Sequence, residues 1–221
     1  MPRSIIAATI LLTFGTGVVD VSSFLRLGHV FASVMTGNLV LLGLAAGTGN
    51  GTLARSGGTA LVGYAVGVAV SSLVSRPLEG HRHRWAALSA MHLLVLAGWV
   101  VLWVTVRDAG TAGESWTLGV AAAAMGVQSS LVRLVGGQGM STTYLTSTLT
   151  RLVWDLGHHG RVGWGDPARC AALVVGAVSG GLLAQHAAAW TPAPAAAAAV
   201  LAAALWHRAA PAAIAGAEPV A

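Results

Sequence analysis

The sequence contains very little charge. Only 9% of its 221 residues are Asp, Glu, Lys or Arg, whereas soluble domains carry about 25%. Hydrophobic residues make up 55% of the chain, and the mean hydropathy is +0.73. So few charges cannot cover the surface of a soluble domain of this length. The composition therefore indicates an integral membrane protein.

Lysine is absent, and all twelve basic residues are arginine. Without lysine the chain cannot form a P-loop, and it also lacks GxSxG, HExxH and the glycine motif of dinucleotide-binding proteins. We therefore expect no enzymatic activity, no cofactor and no metal. The single cysteine, Cys170, excludes an internal disulfide. The arginines are scattered through loops, so we expect no nucleic-acid partner.

Apolar stretches divide the chain into eight segments. A spanning helix needs about 20 apolar residues, and 30–47 and 142–154 fit this length poorly. We predict an all-α integral membrane protein with about six spanning helices plus two short half-depth or broken helices. Residues 1–208 would form a single membrane domain, and the Ala/Pro-rich residues 209–221 would form a disordered tail. The segments are 4–25, 30–47, 57–75, 86–106, 115–132, 142–154, 169–187 and 192–207.

The two halves of the chain resemble each other at a nearly constant offset. Gly67 and Ser71 precede Gly176 and Gly180 by 109 residues. GVVDVSSFLRL in the first half likewise resembles GVQSSLVRL in the second, and TGNL resembles TSTL. The shared offset indicates a duplication, with repeat one at about 4–106 and repeat two at about 115–207.

The arginines distinguish two topologies. If all eight segments span the membrane, five arginines lie on one side of it and seven on the other. In the other topology, two segments enter the membrane and leave it on the same side, namely 30–47 and 142–154. Each half of the chain then crosses the membrane three times, so the two repeats have opposite orientations. Nine arginines then share the side of the N-terminus, and only Arg26, Arg55 and Arg107 lie opposite. The positive-inside rule favours this second arrangement.

Asp20 is the sole acidic residue within a clearly apolar stretch. A charge at the bilayer centre costs about 2.5–3.5 kcal/mol on insertion scales, so such a residue is a candidate for function. It could bind a coupling proton or a cation. Alternatively, it could lie near a helix end and pair with Arg26 or cap the next segment.

Thr36, Gly37 and Asn38 have the composition of a helix break. Backbone N–H groups freed at a break can bind an anionic or carbonyl group. A structural kink satisfied by neighbouring helices is the alternative. In the second half, Gln128 lies near the equivalent of Asp20, and Thr146 takes the place of Thr36. These residues could complete the same substrate or ion site, or could form hydrogen bonds between helices.

Two glycine pairs and one histidine complete the candidates. The GxxxG pairs Gly63/Gly67 and Gly176/Gly180 indicate close helix packing, across the repeat interface or in a homodimer. His92 lies within an apolar segment. It could bind a proton, although a hydrogen-bonded packing residue is the simpler interpretation.

The stretch GVVDVSSFLRLGHVFASVMTGNLVLLG, from Gly17 to Gly43, resembles the YoaK-like family of bacterial multi-pass membrane proteins. The resemblance rests on G-x-x-D-x-x-S-F, a following phenylalanine and the triplet T-G-N. Gly126 to Gln128 also matches a G-x-Q motif of the second half of that family. The resemblance implies a location in the bacterial plasma (inner) membrane, and it implies no substrate.

We therefore expect a small-solute secondary transporter or facilitator with a polar site near the bilayer midplane. Its partners would be the lipid bilayer and an unknown small solute, with coupling to protons or sodium as options. The alternative is a non-transporting membrane scaffold or a stress-related interaction protein. In that alternative, the polar residues only hold helices together.

Overall fold

The computed structural model describes residues 3–78, 80–106, 108–136, 145–159 and 163–215. Within these ranges the chain forms eight α-helices and one short 3-10 helix, Ala188–Trp190. The α-helices are α1 (Arg3–Arg26), α2 (Met35–Thr48), α3 (Gly51–Ser75), α4 (His81–Thr105), α5 (Gly110–Gly136), α6 (Leu145–His159), α7 (Gly165–His186) and α8 (Ala193–Ala215).

Six of these helices are long and apolar enough to cross a membrane: α1, α3, α4, α5, α7 and α8. At 1.5 Å per residue, a helix of this length extends about 30 Å or more, which matches the hydrocarbon core of a bilayer. The other two are shorter, with 14 residues in α2 and 15 in α6. The prediction of an all-α membrane protein with six long and two short helices is confirmed.

The last helix is longer than the sequence suggested. α8 continues to Ala215 and so enters the stretch 209–221 that was expected to be a disordered tail. Alanine has the highest helix propensity of all residues, which favours this continuation. Residues 216–221 lie outside the described residues.

The helices form two bundles, and these bundles are not the two halves of the sequence. In the first bundle α1 packs against α7 and α8, and α6 lies on α7. In the second, α5 packs against α3 and α4, and α2 lies on α3. Thus α1, from the first half of the sequence, packs with helices of the second half, and α5, from the second half, packs with helices of the first. The bundles meet mainly where α1 faces α5 and α4 faces α8.

Glycines permit the closest helix contacts within each bundle. A Cβ atom on Gly67 of α3 would overlap the carbonyl oxygen of Ala123 in α5. A Cβ atom on Gly176 of α7 would overlap the carbonyl oxygen of Phe14 in α1. Gly63 and Gly180 lie at the same two crossings, so all four glycines of the GxxxG pairs are placed where backbones touch.

The same contacts occur in both bundles at one sequence offset. Gly17 approaches Leu173 and Ala177 across the α1–α7 crossing. Across the α5–α3 crossing, Gly126 approaches Tyr64 and Val68. Each residue of the first set is separated from its counterpart by 109 positions. In each crossing, residue numbers increase in the same direction along both helices. Therefore α3 runs parallel to α5, and α1 runs parallel to α7.

Candidate functional site

Asp20 lies in the last two turns of α1 and is buried, with 8% of its surface exposed. Its Oδ1 accepts a hydrogen bond from the Ser33 backbone N–H at 2.8 Å. Its Oδ2 accepts another from the Ser33 hydroxyl at 2.6 Å. Both carboxylate oxygens therefore hold one residue of the segment between α1 and α2, which is folded back against the end of α1.

Asn38 holds a second residue of the same segment. It is fully buried in the first turn of α2. Its Oδ1 accepts from the Phe31 backbone N–H at 3.0 Å, and its Nδ2 donates to the Phe31 carbonyl at 2.6 Å. One amide thus satisfies both backbone groups of Phe31. Irregular backbone at membrane depth needs such internal partners. We call Asp20, Asn38 and their partners Phe31 and Ser33 the loop clamp.

The helix break lies earlier than the sequence suggested. Thr36, Gly37 and Asn38 belong to the first turn of α2, which begins at Met35. The irregular backbone is the preceding segment 27–34, where Gly28 and His29 have φ angles of 98° and 59°. Placing the break at 36–38 was therefore wrong. Asn38 supplies a side chain to the break without being part of it, whereas Thr36 is exposed.

Arg26 is not the charge partner of Asp20, because the described residues place its guanidinium elsewhere. Its Nη2 donates to the carbonyl of Ala184, near the C-terminal end of α7, at 2.6 Å. Six residues correspond to about 1.7 helical turns, so Asp20 and Arg26 leave α1 in different directions. Arg26 instead satisfies a terminal helix carbonyl, a common role for arginine.

Gln128 connects the two bundles in the interior. Only 2% of its surface is exposed, and its Nε2 donates to the Thr16 hydroxyl of α1 at 2.9 Å. Thr16 precedes Asp20 by four residues, or about one helical turn and 6 Å along the axis. Gln128 and the loop clamp therefore lie at neighbouring levels of α1. Thr146, by contrast, is exposed on α6, which packs against α7.

His92 is a buried polar residue that the predicted site did not include. It lies on α4 with 2% of its surface exposed, and its Nδ1 is 3.2 Å from the Ala124 carbonyl of α5. A carbonyl only accepts, so Nδ1 carries the hydrogen and Nε2 is left as an acceptor. Within the described residues, Nε2 has no hydrogen-bond partner. A histidine inside an apolar segment was the sequence signal for it.

His92 and Gln128 line one cavity where α1, α4, α5 and α8 meet. The space that the centre of a water-sized sphere can occupy is about 10 Å³, and the rest of the lining is apolar. The cavity leaves room for about one water molecule. The junction of the two bundles therefore contains a small space with an amide and an imidazole in its wall.

The junction is closed at both ends by tryptophans. Near one end, Trp103 of α4 donates its Nε1–H to the Ala188 carbonyl at 2.7 Å. Near the other, Trp85 of α4 stacks on Trp206 of α8 with ring centroids 6.3 Å apart. The cavity thus lies between two closures, one formed by α4 with the 3-10 helix Ala188–Trp190 and the other by α4 with α8.

A separate ionic cluster fastens α6 to α7. Asp166 accepts two hydrogen bonds from Arg151, at 2.9 and 3.0 Å, and a further one from Arg169. The hydrogen bond to Asp166 raises the pKa of the Arg151 guanidinium above its ordinary value. These groups lie away from the bundle junction and act between neighbouring helices.

Six apolar helices of spanning length around a buried polar junction define a multi-pass α-helical membrane protein. The chain matches the DUF1275 family, described as proteins of unknown function, over residues 8–205, and it belongs to this family. It is similar to the UPF0700 transmembrane protein YoaK of Bacillus subtilis (strain 168), with 34% identity over 146 residues. That match covers 66% of this chain and 64% of YoaK, less than two thirds of the relative's length. The resemblance to the YoaK-like family is therefore confirmed. No solved structure matches the chain.

Proposed function

We propose that the protein is a secondary transporter or facilitator of a small polar solute, and that its two bundles rock against each other. The observation that carries this proposal is the junction between the bundles. Both buried polar side chains of the cavity, His92 and Gln128, lie there. Rocking of two bundles around a fixed central site is the usual geometry of alternating access.

The proposal includes inverted repeats. Each half contains three long helices, and an odd number of crossings reverses the direction of the second half. The glycine contacts that recur at an offset of 109 support the duplication. Because α1 and α5 have changed places, each moving bundle contains helices from both repeats. The moving boundary therefore lies between bundles and not between repeats.

The two tryptophan closures would open in turn. Separating Trp103 from Ala188 opens one end of the junction, while separating Trp85 from Trp206 opens the other. The solute must be small, because the cavity has room for about one water molecule in the present arrangement. It must also be polar, because Gln128 offers an amide and His92 offers an acceptor nitrogen.

Spin-label distances test the rocking without knowledge of the solute. One cysteine pair, Arg82→Cys with Arg208→Cys, reports on one end, and Val104→Cys with Trp190→Cys reports on the other. Both pairs are made in a Cys170→Ser background. We expect two distance populations at each end, with the long population at one end accompanied by the short population at the other. One population at both ends, in vesicles and in detergent, contradicts the proposal.

Transport itself is tested in proteoliposomes with a panel of small polar solutes, including urea and glycerol. Cross-linking of Arg82→Cys to Arg208→Cys should stop flux, and a reductant should restore it. The cross-linker applied to Cys170→Ser alone is the matched control. Flux equal to that of protein-free liposomes for the whole panel favours the second candidate function.

That second candidate is a non-transporting membrane scaffold or stress-related interaction protein. The loop clamp favours it, because both oxygens of Asp20 and both ends of the Asn38 amide are used within the chain. In this case the clamp residues contribute only to stability, and no second arrangement of the bundles exists.

A further inference from the structure

Unpartnered polar atoms follow the contact between α4 and α8. In the part of the chain that the structure describes, six buried side chains have a polar atom without a hydrogen-bond partner. Four of them are on these two helices: Trp85, His92, Trp99 and Trp206. Buried polar groups are nearly always hydrogen-bonded, to protein or to water. Their alignment therefore points to water along this contact, which we call the α4–α8 seam.

Three adjoining voids follow the same seam. The outer one, with about 10 Å³ open to the centre of a water-sized sphere, is lined by Arg82, Trp85, Ser89, Trp206 and His207. The middle one shares Ser89 and Trp206 with it and reaches His92. The inner one shares His92 with the middle void and ends at Gln128. The voids thus form a row from a basic end of the molecule to the bundle junction.

The groups along this row suit water and protons. The indole N–H groups of Trp85 and Trp206 donate, and His92 Nε2 accepts. Apart from His92, the side chains lining the middle and inner voids are uncharged. Leu12 of α1, Ala124 of α5 and Ala199 of α8 face His92, and none of them titrates.

Asp20 is the nearest acidic residue along α1, and it is two turns beyond Leu12 and held by Ser33. A proton that has passed the outer void, whose wall includes His207, therefore meets His92 as the first titratable side chain of the middle and inner voids.

We propose that the α4–α8 seam is a hydrated path that carries protons from the Arg82–His207 end to His92. A hydrated proton in the seam transfers to Nε2 and leaves a water molecule, and the ring becomes an imidazolium. The Nδ1–H stays on the Ala124 carbonyl throughout. Release passes the proton from Nε2 to a water molecule, either back into the seam or, once Trp103 separates from Ala188, towards the opposite face. If the transport proposal holds, His92 is its coupling site, but the path does not depend on that proposal.

The middle void regulates this path. It is too narrow for a water molecule in the present arrangement, and Leu12, Leu93 and Leu131 contribute to its wall. Protons therefore pass only when these apolar side chains move. Since α1, α4 and α8 all contribute to the void, such motion accompanies a change at the bundle junction.

Thiol labelling tests the path directly. In a Cys170→Ser background, Ser89→Cys and Ala203→Cys place thiols in the wall of the seam. Leu201→Cys places one on the outer face of α8, where 56% of the residue is exposed in the absence of lipid. A small charged methanethiosulfonate reagent reacts with thiolates in water. We expect the seam thiols to react at least about tenfold faster than the control, and only from the face that carries Arg82. Equal rates, or reaction from the opposite face, overturn the proposal.

Proton flux tests the role of His92. Proteoliposomes containing a trapped pH dye are given a pH gradient, and His92→Gln is compared with wild type. We expect about a tenfold slower proton entry in His92→Gln. His158→Gln, which changes an exposed histidine of α6, should match wild type. Wild-type flux in His92→Gln removes this residue from the path.

The two experiments separate this inference from the transport proposal. Labelled seam thiols together with a single bundle arrangement would keep the path and remove transport. Unlabelled seam thiols together with two arrangements would remove the path and keep transport. The labelling requires no change at His92, so it remains decisive if that variant does not fold.

Discussion

The side chain of Asp20 bonds Ser33 and the side chain of Asn38 bonds Phe31, both in the segment between α1 and α2. This arrangement explains why costly polar groups occur in an apolar sequence. Segment 27–34 lies between two helices, and within it the clamp supplies hydrogen-bond partners to the backbone of Phe31 and to the backbone N–H of Ser33. The polarity that marked these residues as a candidate site is thus explained first by structure.

Removing the Asn38 amide should destabilise the protein. Asn38→Ala removes the partner of the part-buried N–H and carbonyl of Phe31, and a fully buried group left unsatisfied costs about 1–3 kcal/mol. Thermal unfolding in detergent measures the loss. Thr36→Ala is the control, because Thr36 is exposed in the same turn of α2. It should change the free energy of unfolding by no more than about 0.5 kcal/mol. Equal melting temperatures for the two variants would contradict the clamp.

Asp20→Asn should be milder than Asp20→Leu. The asparagine can still accept from the Ser33 N–H, and the Ser33 hydroxyl can rotate to accept from the new amide. Leucine leaves both Ser33 donors unsatisfied in a buried position. We expect Asp20→Asn to retain most of the folding stability and to keep proton entry through the seam. If it stops proton entry while remaining folded, Asp20 and not His92 binds the proton.

At the residue scale, the sequence revealed polarity but not partners. It identified Asp20, Asn38 and Gln128 as unusual, because a polar group in an apolar run is visible without a structure. It could not show that Arg26 reaches Ala184, since that contact joins residues 158 positions apart. The break was misplaced for a related reason: the side chain of Asn38 acts seven residues away from its own position.

Among the helices, the number and lengths of the segments were predictable. Hydrophobic length is a local property, and six long helices follow from it. The packing of α1 with α7 and of α5 with α3 was not predictable in the same way. It depends on which helix places a backbone carbonyl against each glycine. A GxxxG pair predicts close packing but does not identify the partner helix.

Two glycines of α3 should respond oppositely to alanine. Gly67→Ala places a methyl group against the Ala123 carbonyl, so the helices must separate at a cost of about 1–3 kcal/mol. Gly58 has open space around it, and Gly58→Ala should raise stability by about 0.5–1 kcal/mol through helix propensity. Unfolding in detergent decides the signs. The equivalence of the crossings also predicts that Gly176→Ala resembles Gly67→Ala.

At the scale of the whole molecule, weakening one of the two tryptophan closures should change the populations of the two bundle arrangements. Trp103→Phe keeps an aromatic ring but removes the hydrogen bond to Ala188. We expect the Val104–Trp190 spin pair to move towards its longer distance and the Arg82–Arg208 pair towards its shorter one. A typical hydrogen bond contributes about 1 kcal/mol, which changes the ratio of two states roughly fivefold. Unchanged distributions would show that this bond does not hold the end closed.

The exchange of α1 and α5 has a consequence for biosynthesis. α1 leaves the ribosome well before α7 and α8, the helices that cover it. The bundle of α2 to α5 can close as soon as α5 emerges. Until α7 and α8 have been synthesised, α1 lies in the bilayer without the helices that cover it in the folded protein. Ser33, only thirteen residues after Asp20, can shield the carboxylate from hydrocarbon while the nascent chain grows.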